Sequence, residues 1–462
     1  MQSLEDTIAA VATAAGAAGL AVVRVSGPSA LAVAGRVFRG ARILDDVPSH
    51  TLHHGWAVSP SAPAERIDEV VAAVFRAPRS YTREDVVEFS CHGGMLVTRR
   101  LFEALLEAGA RLAAPGEFTM RAFLNGRLDL TQAEAVADVI HAETDAARDL
   151  ALAQLAGQLS RRIGAIEELL VDTAAEIEAR VDFAEDVGGI EVPANAIADL
   201  RRATAALAGL VDGSVLARAV REGLRIPIVG RPNVGKSSLF NALLGEERAI
   251  VTAAPGTTRD RVSESLEIAG VRVTLSDTAG LRETSDAAET FGVARAREAI
   301  AGCRVALWVL DASEPCGEED RKIAALLSGH RVLVALNKRD RPRRIDAGSL
   351  GSWLAAAAHR VVEVSASRSE GMDALREALI DLMGARDGGA AGAAVSHPRH
   401  VEALARARAA LERAVGAAEA GQPGEIVALE LREGIDALGE ITGRRVNEEL
   451  LERIFSRFCI GK

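Results

Sequence analysis

Apolar and polar positions follow three different rhythms along this chain. Up to about residue 118, short apolar runs are separated by Gly and Pro. Leu20 to Val25 reads as a buried strand, Gly27-Pro28 as a turn, and Ser29 to about Phe38 as a helix. Glu69 to Phe75 and Asp85 to Phe89 predict further strands. A helix from about Met95 to Ala108 follows, and Pro115-Gly116 then breaks the chain. This pattern predicts a small α+β domain over residues 1–118.

From Thr131 the period becomes helical. Thr131 and Glu134 form a capping-box pattern at a helix start. Leu152, Leu155, Leu159, Ile163, Ile166 and Leu170 then recur at three- and four-residue spacing, and another helix runs to about Val220. Helices with one apolar stripe need partners. The same spacing returns past residue 395 at Val401, Leu404, Leu411 and Val415. Gly421 to Gly424 then precedes two further helices. The expected architecture is one helical domain in two segments, 119–217 and 384–462. Between them, residues 218–383 alternate strands and helices, as an inserted α/β domain with a mostly parallel sheet would.

Composition sharpens this picture in three places. A formal charge of −11 argues against a general nucleic-acid coat, leaving only local basic clusters such as Arg341 to Arg344 and Arg444-Arg445. The four cysteines, Cys91, Cys303, Cys316 and Cys459, show no zinc or disulfide spacing, and His50, His53, His54 and His92 show no ligand spacing. A reducing cytoplasm is expected. The apolar stretch from Ile8 to Val23 follows acidic rather than basic residues and is interrupted by glycines, unlike a signal peptide, and no later run is expected to reach the length of a membrane span. Basic residues are nearly all arginine, with lysine only at positions 236, 322, 338 and 462. Lysine is expected where a compact ammonium is needed and a planar guanidinium would fail.

The inserted segment carries the chemistry. Ile226 to Val229 leads into Gly230-Arg231-Pro232-Asn233-Val234-Gly235-Lys236-Ser237-Ser238, a G-x-x-x-x-G-K-[ST] phosphate loop between a strand and a helix. Lys236 would reach the phosphates and the Ser237 hydroxyl would ligate Mg²⁺. Val271 to Leu275 ends in Asp277-Thr278-Ala279-Gly280, and Val332 to Leu336 in Asn337-Lys338-Arg339-Asp340. Ser365-Ala366 follows a run at Val361 to Val364. An Asp340 carboxylate can accept from guanine N1 and its exocyclic amine, a donor pair that adenine lacks. Four motifs in order predict a Ras-like GTP-binding domain. Leu281 stands where such domains place a water-orienting glutamine, so that role passes to the following loop, with Arg282, Glu283, Asp286 and Glu289 as candidates. Asn233 and the oxygen-rich Thr252-Ala253-Ala254-Pro255-Gly256-Thr257-Thr258 could hold a monovalent cation beside the phosphates.

These motifs, with Arg259-Asp260 after Thr258 and the terminal Phe458-Cys459-Ile460-Gly461-Lys462, resemble the MnmE (TrmE) family of tRNA modification GTPases over the whole chain. The resemblance implies a homodimer in which K⁺ and GTP bring two G domains face to face. It places K⁺ on Asn233, Thr252, the Ala254 carbonyl and Thr257, and Mg²⁺ on Ser237 and Thr258. The family's catalytic glutamate falls on Glu289, with Arg282 beside it as a further candidate. It makes the first domain a dimerisation module that takes a tetrahydrofolate derivative, 5,10-methylene or formyl, on Arg24, Glu88, Arg127 and Lys462. Some relatives carry lysine where this chain has Arg127. Cys459 is either a nucleophile or a small buried apolar residue.

The resemblance further implies an FAD-containing partner, MnmG, and a tRNA. Together they would install a carboxymethylaminomethyl-type group on a wobble uridine, with carbon from folate and nitrogen from glycine or ammonium. The competing readings are a ribosome-assembly GTPase and a GTP switch that uses no folate.

Overall fold

The computed structural model describes residues 5–182, 191–246, 263–277, 305–345, 359–383 and 395–462, with positions 300, 303, 350 and 353. The chain divides into two compact units. One comprises residues 1–140, 154–203 and 409–462, the other 141–153 and 204–408. The architecture is an α+β N-terminal domain, a helical domain in two segments and an inserted α/β phosphate-loop domain.

In the first unit, β1 (Ile8–Val11) and β2 (Ala18–Ser26) form a hairpin, so the apolar N-terminal stretch is sheet. Helix α1 (Ala30–Val37) is followed by β3 (Phe38–Gly40), β4 (Thr51–Val58), β5 (Arg66–Phe75) and β6 (Val86–Gly93), then by α2 (Met95–Glu107) and β7 (Arg111–Leu112). The sheet order is β3-β4-β5-β6-β2-β1-β7. Alternate residues point to opposite faces of a strand. Val23, Val25, Val70, Ala72, Val74, Val87 and Phe89 therefore share a buried face with α1 and α2. The opposite face carries Arg24 and Glu88 and leaves Leu20 66%, Leu52 72% and Val71 36% exposed.

Helices α3 (Glu117–Leu124) and α4 (Leu130–His141) continue the chain. The capping box sits two residues earlier than Thr131/Glu134. Asp129 Oδ1 accepts from the Gln132 N–H, and Gln132 Oε1 accepts from the Asp129 N–H. Thr131 instead bonds Ser160, and Glu134 is buried. The leucine stripe also spans two helices, α5 (Asp145–Leu155) and α6 (Gln158–Asp182). Gly157, at φ 75°, breaks the helix between them. Leu152 is exposed, while Leu159, Ile163, Ile166 and Leu170 are buried.

Helices α7 (Ala194–Asp212) and α8 (Ser214–Glu222) follow. Together, Ala194–Glu222 reach the length and apolarity of a bilayer-crossing helix, contrary to the expectation of no such run. Leu200, Ala203, Leu207, Leu210 and Ala217 of this stretch are buried within the protein.

The second unit is built on β8 (Leu224–Val229), α9 (Lys236–Glu246), β9 (Ser263–Ile268), β10 (Val271–Asp277), β11 (Val305–Asp311), α10 (Glu318–Leu326), β12 (Arg331–Asn337), β13 (His359–Glu363) and α11 (Met372–Met383). Its sheet order is β13-β12-β11-β8-β10-β9, parallel except for β9. The run Val305 to Asp311 is buried at every position, as a parallel strand covered on both faces requires. Strand order reverses at β8, so the loop after it lies at the crevice where open α/β sheets bind ligands.

Helices α12 (Pro398–Glu419), α13 (Gly424–Thr442) and α14 (Glu448–Phe455) end the chain. Sequence spacing assigned the partner role to Val401 through Val415, yet α13 makes the close approach to α6. The buried small residues Ala428, Gly434, Ala437 and Gly439 allow helix axes to come near, and an Arg432–Glu178 ion pair ties the two.

Candidate functional site: a phosphate loop and a charged sheet face

The phosphate loop is shaped by backbone that only small or specially placed residues adopt. Gly230, Asn233 and Gly235 all have positive φ. A Cβ on Gly230 would stand 2.3 Å from the Val309 carbonyl, and one on Gly235 2.3 Å from Asn337 Nδ2. The loop after β12 therefore braces the phosphate loop. Asn337 Nδ2 donates to the Val234 carbonyl at 2.9 Å, and Lys338 Nζ to the Asn233 carbonyl at 2.9 Å.

Lys236 begins α9, is buried, and donates to the Gly230 and Arg231 carbonyls at 2.8 and 2.7 Å. Its ammonium thus rests on its own loop. Ser237 and Ser238 occupy the first turn of the same helix, whose N-terminal N–H groups favour an anion.

At the other end of the crevice, Ser365 Oγ donates to Asp340 Oδ1 at 2.7 Å, and this bond holds the exposed Asp340 carboxyl below its usual range. The Ala366 N–H donates to Asn337 Oδ1 at 3.0 Å and the Ser365 N–H to the Glu370 carbonyl. Asp311 holds Lys338 from below. Burial works against its charge, but hydrogen bonds from Lys338 and Ser313 outweigh it and lower its pKa. Asp277 closes β10 next to β8. Thr252, Ala253, Ala254, Pro255, Gly256, Thr257, Thr258, Thr278, Ala279, Gly280, Arg282 and Glu289 lie outside the described residues.

The second candidate site lies on the uncovered sheet face of the first unit. Arg24 and Glu88 are cross-strand partners on β2 and β6, and their side chains pair at 2.9 Å. The Arg24 guanidinium lies 6.0 Å from the Tyr81 ring centroid and 5.4 Å from that of Phe118. The Arg127 guanidinium stacks 4.8 Å over Tyr81. The end of the chain arrives here too. Gly461, at φ 95°, lies against β1 so closely that a Cβ would meet the Val11 carbonyl at 2.5 Å, and its own carbonyl accepts from Arg24 at 3.2 Å. Lys462 is therefore brought to the sheet that carries Arg24 and Glu88, while Arg127 comes from the turn between α3 and α4. Cys459 is exposed, which removes the buried-apolar account of it, and its carbonyl accepts from Gly116 N–H.

Family models match nearly the whole chain. The MnmE helical domain matches residues 130–459 and the GTP-binding protein TrmE N-terminus residues 7–127. The chain belongs to the MnmE family of tRNA modification GTPases. The protein named tRNA modification GTPase MnmE from Symbiobacterium thermophilum is 48% identical over 461 residues, covering 99% of this chain and 100% of that one. Those from Geobacillus kaustophilus and Geobacter metallireducens are 42% and 44% identical, each over 99% of this chain and over 99% and 100% of their own.

Within this MnmE chain, motif reading missed a buried ionic cluster beside the second site. Arg121 is fully buried and pairs with Asp6, Glu84 and Glu117; Arg111 pairs with Asp6 and Glu117. Hydrogen bonding to Arg111 lowers the Asp6 pKa, whereas for Glu117 burial is outweighed by its arginine partners. Ser26 extends the cluster by bonding Thr82 and Glu84. A Glu117–Arg121 pair at i,i+4 was the only local signal for it. In the basic clusters, Arg343 pairs with Glu363, Arg444 with Glu167 and Arg445 with Asp436. Cys91, His54 and His92 share no ligand geometry: Cys91 is buried, while His54 and His92 pair separately with Glu69 and Asp68.

Proposed function

We propose that this protein hydrolyses GTP and couples that hydrolysis to modification of the wobble uridine of certain tRNAs. The observation that carries this reading is the crevice itself. A lysine ammonium resting on displaceable carbonyls stands at one end, and an ionised Asp340 held by Ser365 at the other, in a chain of the MnmE family. Lys236 leaves Gly230 and Arg231 for the phosphates, the loop and α9 N–H groups surround them, and Asp340 accepts from the guanine edge.

The donor set suits Mg²⁺ on Ser237 and Thr258, which would neutralise phosphate charge during transfer. K⁺ on Asn233, Thr252, Ala254 and Thr257 would supply further positive charge. Glu289 orients the attacking water in place of the glutamine that Leu281 replaces, and Arg282 flanks it. The domain boundaries proposed are 1–118, 119–217, 218–383 and 384–462.

The charged sheet face is proposed to bind 5,10-methylene- or formyl-tetrahydrofolate. Arg24 Nε is buried without a hydrogen-bond partner among the described residues, and a carboxylate stands beside it, which fits a ligand carrying both an anionic tail and a guanidine-like edge. Leu20, Leu52 and Val71, exposed on the same face, suit a second copy of the chain. An FAD-containing MnmG subunit would complete the modifying complex in the cytoplasm, and Cys459, exposed on the terminal segment, remains a candidate nucleophile there.

GTPase rate in K⁺ against Na⁺ at equal ionic strength tests the reading, with wild type and Glu289→Ala. The expected result is a strong K⁺ preference and a variant that binds GTP without hydrolysing it. Equal rates in both salts would instead favour a GTPase activated by a different partner.

A further inference from the structure

The charged sheet face has an aromatic centre that its charges do not explain. Tyr81 is the sole tyrosine of the chain. Arg127 stacks on its ring and also donates to its carbonyl at 2.9 Å, and Arg24 approaches the same ring while lying against Phe118. The Tyr81 hydroxyl is hydrogen-bonded to Thr119 Oγ1 at 2.9 Å. Thr119 sits on α3 between Phe118 and the fully buried Arg121, which is anchored to Asp6 and Glu84. The ring is therefore held at its far end by a helix anchored through Arg121, Arg127 stacks on the ring, and Arg24, paired with Glu88, lies beside it.

An unrestrained arginine loses much of its rotamer entropy when a ligand fixes it. A guanidinium already stacked on an aromatic face has lost much of that freedom beforehand.

We propose that Tyr81 is a positioning residue of this site. Its ring fixes Arg24 and Arg127 as a preformed pair of cations for the anionic tail of a folate. The Arg24–Glu88 pair then holds the carboxylate ready for the pterin edge. This rests on the folate reading above. It also gives the arginine at position 127 a physical reason, because an ammonium cannot lie flat on the ring as a guanidinium does.

The test measures binding of 5-formyltetrahydrofolate and of tail-less pterin to the full chain. The proteins are wild type, Tyr81→Phe, Tyr81→Leu and Arg127→Lys, with thermal unfolding in parallel. Tyr81→Leu is expected to weaken 5-formyltetrahydrofolate about tenfold, the scale of lost cation–π contacts, and pterin much less. Tyr81→Phe, which keeps the ring, should stay within about threefold of wild type, and Arg127→Lys should fall between.

Unchanged affinity in Tyr81→Leu overturns the proposal. So does an equal loss for both ligands, which would mark Tyr81 as merely structural. Should Tyr81→Leu fail to fold, Arg127→Lys decides, and wild-type affinity there counts against it. Absence of 5-formyltetrahydrofolate binding in wild type removes the folate reading, and the proposal with it.

Discussion

The two candidate sites hold their cations by different side-chain chemistry. At the phosphate loop, Lys236 donates to backbone carbonyls of the loop it serves, and Lys338 divides its ammonium between the Asn233 carbonyl and the Asp311 carboxylate. On the sheet face and beneath it, Arg24, Arg111, Arg121 and Arg127 are held by carboxylates and aromatic rings. An ammonium is a point charge that exchanges one oxygen for another with little geometric penalty. A guanidinium fork is committed to planar partners. The first site is thus built to change partners when a phosphate arrives, and the second to present a fixed array. This difference gives a physical reason for lysine at position 236 of a chain whose basic residues are nearly all arginine.

The sharpest way to break the comparison is to remove the fixed array at its base. Arg121→Ala leaves Asp6, Glu84 and Glu117 around a buried void, and a loss of about 3–5 kcal/mol is expected from breaking a buried pair of this kind. Urea unfolding of the full chain would measure it. Arg121→Met should be no milder, since Glu84 loses its arginine and Asp6 and Glu117 keep only Arg111.

At the phosphate loop the corresponding change is Lys236→Arg, which keeps the charge. It is expected to lower the GTPase rate on the order of 10²-fold, the scale for losing one transition-state donor, while leaving the melting temperature nearly unchanged. A rate within about threefold of wild type would contradict the claim that a compact ammonium is required there.

Glycine substitutions sharpen the comparison at smaller scale. Gly235→Ala forces Asn337 from its bonds to Val234 and Ala366, and Gly461→Ala forces the terminal segment off the Val11 carbonyl. Each is expected to cost about 1–3 kcal/mol, from a positive φ as well as the clash. Gly235→Ala should weaken GTP binding alone, and Gly461→Ala folate binding alone. Ligand affinities measured on both variants would show whether the two sites are independent.

The smallest effect is acid dependence. The folded pKa values of Asp6 and Glu117 lie below their ordinary values of 3.8 and 4.5. The stability they contribute is therefore fully present above those ordinary values and is lost as pH falls through the lower folded ones. Stability of the first unit should be flat from neutral pH down to about 5, then decline with acid. In Arg111→Ala the acid decline should be shallower, because the folded values move back toward the ordinary ones.

The sequence by itself determined the phosphate-loop crevice. In a parallel sheet, ligand-binding loops follow consecutive strands, so Gly230 to Ser238, Asn337 to Asp340 and Ser365-Ala366 each keep a local signature that survives without coordinates. Strand and helix placement in the N-terminal domain was legible for the same reason, from period alone: Leu20 to Val25 lies within β2 and Met95 to Ala108 matches α2 within a residue.

Tertiary structure alone decided the rest. That α6 packs on α13 depends on small residues whose spacing carries no partner label. Asp129 rather than Thr131 caps α4 because Thr131 is turned towards Ser160. The grouping of Arg24, Tyr81, Glu88, Arg127 and Gly461 comes from an antiparallel register and a returning chain end. Contacts of that kind join residues hundreds of positions apart, and no local period or motif records them.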